Sequence, residues 1–546
     1  MQLDIYPDKS FYCPGQTVCL LVELSGIVQE EIVLLATITH LSKTVIELED
    51  ILKVADSSLT VVELNWSPPL DAPHGYGVDL QVRDAEGQTI ATASTAFDVL
   101  ESWTQAPRYG FLTDFSPERS DIDETEIWLT KFHINGLQFY DWMYRHDQLL
   151  PPTDPFVDLL NRRLSLATTK VLIEAAHTRN IAAMPYTAIY GASVPFQQMH
   201  PDWSLFDKNG NPIEFAGFLM IMNPALASPW SQYLLAQFEQ VLEKTAFDGI
   251  HIDQYGEPKA GYDSGGNSVD LEQVFPPFIN ATKSLVDRKR EGNGTVIFNA
   301  VSNWPVETVA PTDQDAVYIE VWPPNTRYEH LHQHIVAAQQ LGRGKPVILA
   351  VYTDPADEHN ARLVDVAIFA SGGFHIELGE PDVMLADPYF PKHGQMSSDL
   401  VTSIRHYYDF AVRYENVLSQ RTKDTTPTHA GQVKIDGINT DPTAIGDKVW
   451  VITRKGRNFE TISLINLLGI ANPTWNGPQT PKPTLQTDLR LRYYTQQPIK
   501  SIWWATPDGD DPTGQTLSFN REEDEGGKYI EFNISSLAYW DLIVLE

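Results

Sequence analysis

Gly249-Ile250-His251-Ile252-Asp253 is a run of strand length, Leu271–Lys289 after it is amphipathic, and Val296-Ile297-Phe298-Asn299-Ala300-Val301 is a second short run. The second run is apolar at every position but Asn299, which reads as a strand buried on both faces, and the first sets its two polar residues, His251 and Asp253, on one face only. Two such strands joined through a helix pair in parallel, with the helix packed outside. The same unit recurs on either side. Strand-length runs lie at Tyr109–Phe115, Gly136–Trp142, Ile181–Thr187, Val317–Trp322, Val347–Tyr352 and Phe374–Leu378. Helical stripes cover Leu159–His177, Pro224–Phe247, Arg327–Leu341 and Asn360–Ala370. Eight strands alternating with helices over about 300 residues predict a (β/α)8 TIM barrel. A doubly wound sheet would carry a Gly-rich phosphate loop after its first strand, and none follows Tyr109–Phe115.

The flanks read differently. Before about residue 100, short strands at Thr17–Leu24, Glu31–Leu41, Leu59–Trp66, Tyr76–Val82 and Thr89–Val99 are separated by Gly, Pro, Asp and Ser, which predicts a β-sandwich. After about residue 420 the pattern returns at Lys448–Thr453, Glu460–Leu467, Ile502–Ala505, Thr516–Phe519, Tyr529–Phe532 and Ala538–Leu545, predicting a second sandwich. The expected division is 1–104, 105–420 and 421–546.

With 39 Lys and Arg against 72 Asp and Glu, the net charge is −33. That balance excludes a binder of nucleic acid and argues against docking on an anionic membrane. No run approaches the roughly 18 apolar residues of a membrane span. The opening Met1-Gln2-Leu3-Asp4 has no basic, apolar leader, so the expectation is a secreted protein whose signal peptide has been removed, or otherwise a cytoplasmic one. Cys13 and Cys19 flank a Pro-Gly turn, where buried thiols are expected ahead of a local bridge. No cofactor and no metal are expected, and a monomer is.

Catalytic groups of a barrel sit at the C-terminal ends of its strands. Those ends carry Tyr140, Asp141 and Trp142, followed by Arg145 and His146; Asp253, Gln254 and Tyr255; Asn299; Glu320 and Trp322; Tyr352; and Glu377. Carboxylates, amides and aromatic rings together suit a sugar: rings stack on its C–H faces and the polar groups take its hydroxyls. Glycosidic cleavage needs two carboxyl groups, one to protonate the leaving oxygen and one to attack the anomeric carbon or activate water. Asp253 and Glu320 stand on non-adjacent strands among apolar neighbours, a costly placement for a charge unless it is used or paired. They are the candidate catalytic pair, the alternative being a buried ion pair with Arg, His or Lys. The others are candidate substrate contacts.

Arg108-Tyr109-Gly110-Phe111-Leu112 and the longer run from Phe132 to His146 (Phe-His-Ile-Asn-Gly-Leu-Gln-Phe-Tyr-Asp-Trp-Met-Tyr-Arg-His) resemble the catalytic domain of glycoside hydrolase family 66, which holds dextranases and cycloisomaltooligosaccharide glucanotransferases. Gly249–Gly256 and Val317–Trp322 are similar to the family's nucleophile and acid/base segments. The resemblance implies an immunoglobulin-like N-terminal sandwich, a barrel and a C-terminal Greek-key sandwich. It implies endo-acting, retaining cleavage of α-1,6-glucan or isomaltooligosaccharides, with Asp253 as nucleophile and Glu320 as general acid/base. Glu320 would then carry a raised pKa while Asp253 stays ionised. The cyclising members resemble dextranases but carry an inserted carbohydrate-binding module after strand seven; here Thr353–His359 runs directly into a helix, favouring hydrolysis over cyclisation. The alternatives are a glucanotransferase on the same glucan and a non-catalytic glucan-binding protein.

Three further features read as structural. His330, His332 and His334 are expected on a solvated helix face, since no zincin-type third ligand follows. Asp508-Gly509-Asp510-Asp511 is expected as a surface turn. Glu522–Glu525 is expected as a solvated hairpin loop.

Overall fold

Eight parallel strands stand side by side in chain order. They are β1 (Tyr109–Leu112), β2 (Gly136–Phe139), β3 (Ala182–Ala188), β4 (Gly249–Asp253), β5 (Thr295–Val301), β6 (Ala316–Glu320), β7 (Val347–Ala350) and β8 (Phe374–Ile376). This is a computed structural model, describing residues 2–26, 31–53, 59–70, 74–419 and 421–546; Met1 and Gln420, bounds of the expected divisions, lie outside them. The ring is drawn together where the Phe111 N–H donates to the Leu378 carbonyl at 3.0 Å, beside the ends of β1 and β8.

Strand parity decides which side chains fill the barrel. Tyr109 and Phe111 of β1, Met184 of β3, Ile297 of β5, Tyr318 of β6, Ile348 and Ala350 of β7, and Phe374 and Ile376 of β8 share one buried cluster. Their neighbours Leu112, Leu137, Ile250, Phe298, Ile319 and Leu349 belong to the cluster packed under the helices. His251 joins the interior, with its Nδ1 3.1 Å from the Tyr109 hydroxyl. Burial pushes it down to about 3, so it is neutral. The barrel floor is therefore a packed aromatic layer, and chemistry is left to the top.

The expected helices form, Leu271–Lys289 with its bounds unchanged and the others with shifted starts. Leu159–His177 begins instead at Leu166, where the Ser165 hydroxyl accepts the Thr168 N–H. The residues before it make a hairpin pairing Phe156–Val157 with Arg163–Leu164, held by Asp158, which accepts from the Leu160 and Arg162 N–H groups. The stripe from Pro224 becomes a helix only at Pro229, a proline in the first turn after the Ser228 cap.

The described residues up to Val99 form two antiparallel sheets whose inner faces meet: Ile5, Val22 and Leu24 from one, Leu34, Ile38, Val78 and Leu80 from the other. Lys43–Lys53 is a strand the sequence reading missed. It lies at a sheet edge, where charged side chains blunt further pairing and hide the apolar pattern. Residues 423–545 contain a second pair of sheets, antiparallel but for the short strand Thr440–Asp441, closed over Val451, Ile462 and Ile543 on one side and Leu491, Ile530 and Phe532 on the other.

One expectation fails in part and another outright where the third part packs on the barrel. Residues 509–511 are exposed, as a surface turn should be, but the Asp508 carboxylate is tied in, accepting from Arg362 at 2.9 Å, Tyr407 at 2.6 Å and the Tyr539 and Trp540 N–H groups. The helix Tyr328–Leu341 has no solvated histidine face. His330 accepts the Arg327 N–H at the helix start, and His332 lies 2.9 Å from the Ser371 hydroxyl and 3.6 Å from Asp424. Burial drives His332 and His334 down to about 4. The acidic run from Glu522 is exposed, as expected, but Glu522 to Asp524 belong to a strand, Asn520–Asp524, and only Glu525 lies in the hairpin turn. Cys13 and Cys19 are free thiols, half-buried rather than buried. Among the described residues no helix is long and apolar enough to cross a membrane.

Candidate active site

β4, β5 and β6 deliver three polar side chains to one point at the top of the barrel. Asp253 ends β4, Glu320 ends β6, and Asn299 lies between them on β5. Its single amide nitrogen, Nδ2, donates to Asp253 Oδ1 at 2.8 Å and to Glu320 Oε2 at 2.9 Å. The remaining acceptor sites are served by neutral donors. The Tyr186 hydroxyl gives to Asp253 Oδ2 at 2.7 Å. The Tyr352 hydroxyl and the Trp322 indole N–H give to Glu320 Oε1 at 2.6 and 2.9 Å. Neither carboxylate forms an ion pair with Arg, His or Lys among the described residues, so the ion-pair alternative has no support.

Burial raises Asp253 to about 7, with the charge of Glu320 adding to it and the bonds from Tyr186 and Asn299 only partly offsetting it. Burial also raises Glu320, against its bonds from Tyr352, Asn299 and Trp322. The expectation that Asp253 stays ionised is corrected by this balance.

The pair opens onto a cavity of about 570 Å³. Tyr140, Asp141, Arg145, His146, Tyr255 and Trp322 all line it, as the sequence reading placed them. Tyr140 is held by stacking on Phe390, with centroids 4.4 Å apart, and Tyr255 stacks on Phe215 at 4.2 Å. Asp141 is raised to about 6 by burial, with Arg162, 3.4 Å away, pulling the other way. Burial lowers His146 to about 4, so it is neutral, and its Nδ1 has no protein partner among the described residues. The Tyr255 hydroxyl is likewise buried without a partner among them. Both are polar atoms a sugar hydroxyl can satisfy.

Five expected contacts have other roles. Gln254 borders the cavity, but its side chain is spent on the chain: Nε2 reaches the Trp304 carbonyl at 3.2 Å and Oε1 accepts the Gly256 N–H at 2.6 Å. Asn299 and Tyr352 bond the carboxylates. Trp142 is a correction: it is 1% exposed, gives its indole N–H to the Tyr186 carbonyl and packs on Phe247, so it braces the wall from behind. Glu377 is a second correction. The inward residues of β8 are Phe374 and Ile376, so His375 and Glu377 point outward between barrel and helices, where Glu377 is fully buried. Asp365, His375 and Glu377 place three possible metal-ligand atoms within 4.8 Å of one another. Burial would push His375 down, but Glu377 and Asp365 outweigh it and hold it up at about 10. Its Nδ1, 2.9 Å from Asp365 Oδ1, then keeps a proton where a metal would need a lone pair.

Sequence reasoning missed Tyr186, the donor to Asp253. A tyrosine one residue from the end of an expected barrel strand was the available signal. Phe215, Phe218 and Tyr389 come from long loops with no periodicity to announce them.

The model of glycosyl hydrolase family 66 matches residues 7–544. The chain belongs to that family. A family 66 cycloisomaltooligosaccharide glucanotransferase of Niallia circulans is 24% identical over an alignment of 709 residues, covering 99% of this chain and 71% of that protein. A dextranase of Streptococcus salivarius is 23% identical over 577 residues, 90% of this chain and 69% of that protein. Among solved structures, a Paenibacillus cycloisomaltooligosaccharide glucanotransferase complexed with cycloisomaltoheptaose superposes with a TM-score of 0.93 at 23% identity, over 100% of this chain and 99% of that one. A maltogenic α-amylase of Thermotoga neapolitana gives 0.51 at 13% identity, over 80% of this chain and 98% of that one. These likenesses show the fold.

Proposed function

We propose that this family 66 chain is an endo-acting, retaining hydrolase of α-1,6-glucosidic bonds in dextran or isomaltooligosaccharides. The observation that carries the reading is the Asn299 bridge. With one nitrogen 2.8 and 2.9 Å from the two acceptors, the bonded oxygens can stand no more than about 5.7 Å apart, which suits a nucleophile and an acid/base and is short of the roughly 6.5–9.5 Å of two groups with water between them. In the first step the Asp253 carboxylate forms a bond to the anomeric carbon, the bond to the leaving oxygen breaks, and that oxygen takes the Glu320 proton. In the second, water gives a proton to Glu320 and its oxygen joins the anomeric carbon, releasing Asp253. The α-1,6 linkage and the endo mode come from the family likeness. The division into an immunoglobulin-like sandwich, a barrel and a Greek-key sandwich, at 104/105 and 420/421, belongs to the same proposal.

A glucanotransferase is the second reading, favoured by the 24% and 25% identity to two proteins of that name over 99% of the chain. Against it stands the short path from β7 to its helix, Val351 to Asp357. The aligned stretch of 709 residues is also longer than this whole chain, so the transferase carries inserted residues that this chain lacks.

The test is a product profile on dextran and on isomaltooligosaccharides of defined length, with Asp253→Asn and Glu320→Gln as controls. A ladder of linear products supports hydrolysis, and cyclic or lengthened products support transfer. Each variant is expected to lose at least about a thousandfold, roughly 4 kcal/mol of barrier, while keeping its Tm; wild-type-like turnover in either overturns the assignment. Asp253→Gly with azide separates the roles, yielding a β-glycosyl azide if Asp253 is the nucleophile.

A further inference from the structure

A second hollow, of about 620 Å³, adjoins the acid/base side of the site. Its inner wall is Tyr352, whose hydroxyl lies 2.6 Å from Glu320 and whose ring meets Trp322 edge to face at 6.1 Å. Trp322 lines the cavity that both carboxyl groups border and Tyr352 lines this hollow, so the two rings stand between them.

The outer wall comes from far along the chain. The segment 473–480, from the C-terminal part, is laced to the barrel rim on both flanks. The Trp475 N–H and indole N–H donate to the Thr326 and Asn325 carbonyls after β6, at 2.9 and 2.8 Å. After β7, Asn360 Nδ2 donates to the Trp475 carbonyl at 2.7 Å and the Thr480 N–H donates to Asp357 at 2.8 Å. These bonds leave Asn476 and Gln479 exposed at the tip, facing Asp354 across the hollow. A brace alone would pack down. This one is rigid, open and polar, with amides, a carboxylate and a tyrosine ring: the groups that hold a sugar.

Polarity of the reaction says which sugar. The group that protonates the leaving oxygen faces the departing half of the chain. We propose that the hollow between Tyr352, Asp354 and the tip Asn476–Gln479 is the binding site for the leaving-group side of an α-1,6-glucan, and hence for the sugar that competes with water as acceptor. The inference rests on the proposed function and extends it: the C-terminal part then supplies a wall of the substrate cleft.

The experiment compares isomaltohexaose with 4-nitrophenyl α-isomaltoside, whose leaving group is small. Wild type is assayed on both, then Asp354→Ala/Asn476→Ala/Gln479→Ala, and Asn476→Trp, which fills the hollow. The expected result is about a tenfold fall in the ratio of kcat/KM for isomaltohexaose to that for the nitrophenyl substrate, the loss of one or two sugar hydrogen bonds. A shift in which bond of isomaltohexaose is cut, and fewer transfer products at high substrate, should accompany it. An active wild type whose variants keep the ratio and the cleavage pattern overturns this site and leaves the α-1,6 reading standing. A wild type inert on both substrates overturns the reading and this site with it.

Discussion

Asn299→Ala removes one nitrogen and, with it, the bridge between the two reacting carboxyl groups. The bonds lost are 2.8 and 2.9 Å long, both buried and both made to groups that carry charge during the cycle. A hydrogen bond to a charged group is worth about 1.5–3 kcal/mol. Part of that reappears as a lower affinity for protons, because Asn299 stabilises the ionised form of both Asp253 and Glu320. The expected fall in kcat is about a hundredfold to a thousandfold, close to what removing one preorganised donor costs elsewhere. The pH profile carries the sharper signature. Asp253 attacks as the carboxylate, so activity falls as pH drops through its pKa, raised already to about 7. Losing a donor raises that pKa further, and the acid limb of kcat/KM should move to higher pH. Asn299→Asp should be worse, since a third carboxyl group shares the same buried volume. The assay is initial rate on isomaltooligosaccharides at closely spaced pH values, beside a thermal melt. A variant with an unmoved acid limb, or with kcat within a few-fold of wild type, would refute the claim that this amide sets the geometry and charge of the pair.

Trp322→Phe keeps a ring in the cavity wall but removes the N–H that Glu320 accepts at 2.9 Å; the Glu320 pKa should rise, and the basic limb, where the acid deprotonates, should move to higher pH in a rate profile. Trp322→Ala should add a rise in KM, read by steady-state kinetics. Glu377→Leu should lower stability by about 3–5 kcal/mol, the penalty for breaking a buried ionic cluster, with KM near wild type, because Glu377 lies outside the cavity; denaturant unfolding reads the first and kinetics the second. His375 supplies a pH signature in the wild type. Its folded pKa of about 10 stands above its ordinary value of 6.5, so its contribution to stability is full below 6.5 and is lost as pH rises toward 10. Melts across that range should show this slope, and Glu377→Leu should reduce it.

The barrel was legible because burial on both faces leaves a mark every residue carries. All eight strand-length runs became strands, and Gly249–Asp253 kept its bounds. What blurred was polar. The edge strand Lys43–Lys53 and the half-buried strand Gln486–Tyr494 hide their apolar residues among charges. Asp508 and His332 looked solvated because sequence shows a side chain's chemistry and not the neighbour brought to it from more than ninety residues away.

Within the site the same distinction holds at finer scale. Asp253 and Glu320 stood out as carboxylates at the ends of apolar strands, and two steps of strand parity would have sharpened the rest. Inward positions on β4 are His251 and Asp253, on β5 Ile297 and Asn299, on β6 Tyr318 and Glu320, and on β8 Phe374 and Ile376. Applied strictly, that rule removes Glu377 from the site, moves Asn299 from the substrate to a place between the carboxylates, and admits Tyr186, two residues after the inward Met184. No such rule reaches Phe215, Tyr389 or Asn476. They are carried in by loops, where local sequence sets no period, and only the closed barrel gives them a common place. On the proposed function, the residues that make and break bonds are fixed on strands while those set against the sugar are carried by the connections, which leaves substrate range free to change while the bridged pair stays as it is.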